Sequence, residues 1–164
     1  MTDLEFQSLA LQGYNRIPLI AEAFADLETP LSLYLKLACG EDGAAGRNSF
    51  LLESVVGGER FGRYSFIGLP ARTLLRSSGF RTEVVSDGRV VESDDGNPID
   101  FVAAYQQRFR VALRPGLPRF CGGLAGYFGY DAIRYIEPRL AASKHARKLA
   151  DPIGTPDVLL VQCE

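Results

Sequence analysis

Residues 71–92 read ARTLLRSSGFRTEVVSDGRVVE, and this stretch decides the fold. Strands are expected over Ala71–Arg76, Phe80–Val85 and Arg89–Glu92, with Asp87-Gly88 supplying the two positive-φ residues of a tight hairpin turn. The result is an antiparallel meander. Upstream, Ser49–Val56 (SFLLESVV) is a short apolar run consistent with a strand whose polar pair, Glu53 and Ser54, needs partners. After the Gly57-Gly58 break, Arg63-Tyr64-Ser65-Phe66-Ile67 reads as a further strand. Downstream, Asn97-Pro98 caps a helix in which Ile99, Val102, Tyr105, Gln106 and Phe109 recur three or four residues apart.

Four glycines crowd the segment from Phe120 to Asp131, which suits a strand only where another backbone or a ligand comes close. Asp131 then caps a short helix holding Ile133, Arg134 and Ile136, ended by Glu137-Pro138. Asp157–Cys163 reads as a buried strand, and its apolar ending implies that the sheet expects more chain and that this strand is an exposed edge. Nearer the start, a first helix runs from Asp3 to Gln12 and stops at Gly13. Ile17-Pro18-Leu19-Ile20 reads as an edge strand, because Pro18 lacks a donor. Thr29-Pro30 opens a helix over residues 30–38, and the glycine-rich stretch from Gly40 to Gly46 is a surface loop. The fold class is α+β: an antiparallel β-rich meander with helices packed on one side, forming part of a larger fold.

At 164 residues the length suits one core. The balance of 46% hydrophobic and 23% charged residues describes a folding globular chain, not a disordered one. A net charge of −2 argues against a nucleic-acid partner, and no apolar run approaches the length of a membrane span. Cys39, Cys121 and Cys163 have neither disulfide nor zinc spacing, so the reading is a reduced, cytoplasmic chain with no metal ligands of its own. The single histidine, His145, lies among Lys144, Arg147 and Lys148 with no serine or cysteine partner in view. Asp42, Asp87, Asp94 and Asp95 sit in turns, where acids shape the backbone. The basic stretch from Arg139 to Lys148 reads as solvated. No catalytic residue emerges.

The strongest constellation is Leu52-Glu53-Ser54 followed by Arg63-Tyr64. A carboxylate and a hydroxyl on one strand hold an ammonium group, and an arginine nine residues on neutralises the acid or holds a carboxylate. Tyr64 and Phe66 offer an aromatic wall. The residues themselves leave two readings open: an amino-acid site, or an internal Glu53–Arg63 ion pair in the meander.

These motifs resemble the amino-terminal region of anthranilate synthase component I. The similarity runs from NRIPLIAEAFADLETPLSLYLKL through SFLLESVVGGERFGRYSFIGLPA to GGLAGYFGYDAIRYIEPRL and PDVLL, nearly the whole of residues 1–164. Aminodeoxychorismate synthase component I is similar over the same region, but SVVGGERFGRYSFIG resembles the anthranilate branch more closely. The resemblance implies a subunit of an enzyme that takes chorismate and ammonia to anthranilate and pyruvate with Mg²⁺. The ammonia comes from a partner glutamine amidotransferase subunit. It places the chorismate and Mg²⁺ residues in a carboxy-terminal catalytic domain outside these residues, so the chain is expected to be inactive alone. It also implies a tryptophan feedback site, with Glu53 and Ser54 meeting the amino group, Leu52 lining the pocket, and Arg63 and Tyr64 at its wall. Two other readings stand beside it, a separate amino-acid-binding module and a non-binding interaction piece.

Overall fold

The computed structural model describes residues 1–40, 46–53, 64–141 and 153–163. The expected loop at 41–45, Ser54, Arg63, His145 and most of the basic stretch lie outside the described residues. The chain divides into two compact units, residues 1–20 with 73–162, and residues 21–72 with 163–164.

The first unit is built on the meander. Strands β3 (Thr73–Ser78), β4 (Arg81–Ser86) and β5 (Arg89–Asp94) pair antiparallel as expected, and Asp87 and Gly88 take φ of 49° and 77° between the paired Ser86 and Arg89. The other turn rests on Gly79, at φ 58° beside the Ser78–Arg81 pair. Phe80 therefore belongs to this turn rather than to a strand. β6 (Gly123–Phe128) and β7 (Val158–Cys163) complete a sheet of order β5-β4-β3-β7-β6. This corrects one expectation: β7 is an inner strand, held against β3 on one side and β6 on the other, and the edges are β5 and β6.

The glycines explain how β6 reaches β7. A Cβ on Gly126 would lie 2.0 Å from the Leu159 carbonyl oxygen, and the Gly129 amide donates to the Asp157 carbonyl at 2.7 Å. Close approach of a second backbone accounts for Gly126 and Gly129, whereas Gly122 and Gly123 take φ of 123° and 125°, and a Cβ on Gly123 would meet nothing within 4 Å.

One face of the sheet is covered by helix α3 (Pro98–Gln106), capped by the Asn97 side chain, which accepts from the Ile99 amide at 2.9 Å. Leu75, Val84, Val158 and Leu160 meet Phe101, Val102 and Tyr105 in the core, with Phe109, Leu124 and Tyr135 packed against it. Phe101 takes the inward place that the spacing argument assigned to Gln106, which is exposed. Full burial of Leu75 and Val158 contributes about 1.5–3 kcal/mol each. Polar groups within this layer are paired: Ser77 Oγ lies 2.9 Å from Thr82 Oγ1, and the Tyr105 hydroxyl donates to Gln162 Oε1 at 2.7 Å.

Two other sequence readings change. Ile17–Ile20 forms no strand; Arg16 instead makes an isolated parallel bridge to Val111, and Asn15 clips the segment by donating to the Arg108 carbonyl at 2.7 Å. Pro18 has no amide to extend a ladder. Asp131 does not cap helix α4 (Ile133–Ile136); a 3₁₀ turn at Tyr130–Ala132 leads in, and Asp131 pairs with Arg134 at 3.1 Å. α1 (Asp3–Leu11) ends as read, with Gly13 at φ 84°, and opens on a Thr2–Glu5 capping box.

The second unit holds helix α2 (Pro30–Ala38) against a two-stranded ribbon, β1 (Phe50–Leu52) and β2 (Phe66–Gly68). β1 starts one residue after Ser49 and ends before Glu53, and β2 starts at Phe66 and runs one residue past Ile67, where the expected strand ended. Thr29 caps α2 by accepting from the Ser32 amide at 3.0 Å. Tyr34 ties the helix to the ribbon's approach, its hydroxyl 2.9 Å from Ser49 Oγ.

Acid stability follows from the ion pairs. Arg108 grips both oxygens of Glu92, at 2.6 and 2.7 Å, and lies over the Tyr105 ring; these hydrogen bonds hold Glu92 below its ordinary 4.5. Arg76 and Arg81 lower Glu83 in the same way. A carboxylate lowered on folding stabilises fully above its unfolded value and loses that contribution as pH falls through the folded value. The melting temperature should stay level between about pH 7 and 5 and fall below about 4.5, and Arg108→Met should remove part of the fall. A profile in Arg108→Met identical in shape to wild type would contradict a role for this pair.

Candidate functional site

The ribbon brings the singled-out residues together in part. Register pairs Phe50 with Gly68, Leu51 with Ile67 and Leu52 with Phe66. The Phe50 ring lies across Gly68 and leaves no room for a side chain: a Cβ there would sit 2.1 Å from the ring edge. Directly paired residues share a face of a sheet, so Leu52 and Phe66 stand side by side. Tyr64 continues that row, its ring centroid 6.5 Å from that of Phe66 at a 37° tilt.

Leu52, Phe66 and Tyr64 thus form one apolar row, with Leu52 57% and Tyr64 67% exposed. Glu53 leaves the ladder immediately after Leu52 and is also exposed. An aromatic row beside a carboxylate suits a ligand with a flat apolar body and a cationic group. Ser54 and Arg63 lie outside the described residues, and with Arg63 the proposed Glu53–Arg63 pair.

Elsewhere the candidates have structural work. Asp94 accepts the Gly96 amide at 2.8 Å, and Asp87 shapes its turn. Sequence reasoning missed a junction that joins three segments. The Tyr135 hydroxyl lies 2.5 Å from Asp157 Oδ2 and 2.8 Å from the Gly79 carbonyl oxygen, and the Gly79 amide donates to the same carboxylate oxygen at 2.8 Å. Burial, then the hydrogen bond to Asp157, pushes the phenol well up. A tyrosine and an aspartate 22 residues apart carry no local signal of such a contact. Among the described residues no group of three histidine, cysteine or acidic side chains is placed to hold a metal, and no helix is long and apolar enough to cross a membrane. Cys39, Cys121 and Cys163 are free thiols.

No family model matches the chain. Individual proteins do. Anthranilate synthase component 1 of Neisseria meningitidis serogroup B is 55% identical over 157 residues, 96% of this chain, and that of Pseudomonas putida is 54% identical over 158. The chain is a homologue of the amino-terminal region of anthranilate synthase component 1. The similarity extends to distant members: anthranilate synthase component 1 of Aquifex aeolicus is 39% identical over 92% of the chain. The chain spans about 30% of the length of these Neisseria meningitidis and Pseudomonas putida relatives. Its α+β architecture, with antiparallel sheets and α3 on one face, agrees with the fold class expected from sequence.

Proposed function

We propose that the chain is the tryptophan-binding, regulatory amino-terminal part of an anthranilate synthase component 1. The observation that supports this most is the row of Leu52, Phe66 and Tyr64 on the β1–β2 ribbon, with Glu53 at its end, in a chain so similar to proteins of that name. In this reading the indole of tryptophan lies along the apolar row, and Glu53 and Ser54 receive its ammonium group. Arg63 stands at the pocket wall.

The reaction belongs to the complete enzyme: chorismate and glutamine-derived ammonia become anthranilate and pyruvate in tryptophan biosynthesis. A glutamine amidotransferase subunit and a catalytic domain are the partners, in the cytoplasm. Mg²⁺ belongs with chorismate in the catalytic domain, as the resemblance implies. Regulation is then a coupling free energy, tryptophan at the ribbon favouring one arrangement and chorismate at the catalytic site the other.

The test is a chimera in which this chain replaces the matched part of the Pseudomonas putida relative. Tryptophan should inhibit its anthranilate formation. An active chimera insensitive to tryptophan would defeat the proposal.

A further inference from the structure

β1 and β2 contain one glycine, Gly68, and an aromatic ring takes the place of its missing side chain. A Cβ there would lie 2.1, 2.4 and 2.5 Å from Cε1, Cδ1 and Cζ of Phe50, so one edge of the Phe50 ring lies across the neighbouring strand. A ring seated on a cross-strand glycine fills the gap that glycine leaves in the face of a sheet. Residues two apart on a strand share a face, so the Phe50–Gly68 rung lies on the face that carries Leu52 and Phe66. Followed from Tyr64, that face reads Tyr64, Phe66, and then the Phe50 ring in the place of a side chain at position 68.

The apolar row is therefore stopped at one end by a ring, while Glu53 stands at the other. Three strand steps separate Phe50 from Glu53, about 10 Å of chain. An amino acid whose ammonium group sits at Glu53 and whose side chain lies along the row brings the far edge of a bicyclic ring against Phe50. Phe50 is only partly buried, so its ring is open to such a neighbour. We infer that Phe50, seated on Gly68, sets the size of the side chain that the ribbon accepts, stopping the row behind a single bicyclic ring. This rests on the regulatory reading above and adds to it a limit on ligand length, which the carboxylate and the rest of the row do not supply.

The test compares two ligands on the 164-residue chain: L-tryptophan, and 6-methyl-L-tryptophan, whose methyl group extends the ring edge remote from the ammonium group. The chain has no tryptophan of its own, so the fluorescence anisotropy of each free amino acid reports its binding. Wild type should bind the methylated form at least about tenfold more weakly, the scale on which one methyl group is felt in a closed apolar pocket. Phe50→Ala should make the two dissociation constants nearly equal, and Phe50→Leu, which keeps more of the packing, should give a ratio between the two. A role in packing alone would weaken both ligands alike and leave the ratio unchanged. A wild-type ratio near one overturns the inference and leaves tryptophan binding intact. So does a wild-type ratio retained in the variants, or loss of both ligands in a Phe50→Leu chain that still melts cooperatively. A wild-type chain that binds neither amino acid overturns the regulatory reading and this inference together.

Discussion

Gly126→Ala should destabilise the first unit by about 3 kcal/mol or more, the largest effect expected of any one-methyl change in the sheet. The added carbon would lie 2.0 Å from the Leu159 carbonyl oxygen and 2.9 Å from the Leu160 Cα. Both are backbone atoms, so no side-chain rotation relieves the contact. β6 would have to draw away from β7, and Leu160 lies within the core. Gly88→Ala is the control. Its Cβ would meet nothing within 4 Å, and only the φ of 77° opposes it, at a cost of about 1–2 kcal/mol. Urea unfolding of the two variants decides the matter. A Gly126→Ala protein within about 1 kcal/mol of wild type would refute the β6–β7 approach described above.

The second large effect is functional. Ser54→Phe, in the active chimera, should raise the tryptophan concentration for half-inhibition by at least about fivefold while turnover changes little. The resemblance places Ser54 at the ligand's ammonium group, and a phenyl ring there fills the space that the ligand needs. Allosteric coupling typically spans about 5- to 150-fold in affinity, so loss of binding at the regulatory site appears as a shift of that size or as complete insensitivity. Inhibition unchanged from wild type would remove Ser54 from the site.

The local features were legible in the sequence. Asp87-Gly88 announces its hairpin because few residues take positive φ at two successive positions, and Asn97-Pro98 and Thr29-Pro30 announce helix starts through caps that involve only neighbours. Features set by distant partners were not. β7 reads as a buried strand from its own residues, but its place beside β3 depends on pairing with residues more than 80 positions away, Leu75 with Leu160 among them. Ile17–Ile20 has strand-like composition and yet finds only one bridge. Phe101 displaced Gln106 because the sheet chooses which helical stripe faces inward.

For the candidate site, LLES and GRYSFIG drew attention to two segments that pair with each other as β1 and β2. The pairing of Leu52 with Phe66 needed the register, which short runs on either side of Gly57-Gly58 do not specify.

The central claim is that this chain binds tryptophan, and the absence of tryptophan from its sequence makes a direct measurement possible. Free L-tryptophan is excited at its red edge, and its fluorescence anisotropy is followed as the 164-residue chain is added, with D-tryptophan as control. The account predicts a saturable rise for the L form that Ser54→Phe abolishes. A folded chain, shown by a cooperative melt, that leaves the anisotropy of L-tryptophan unchanged at every concentration would contradict it.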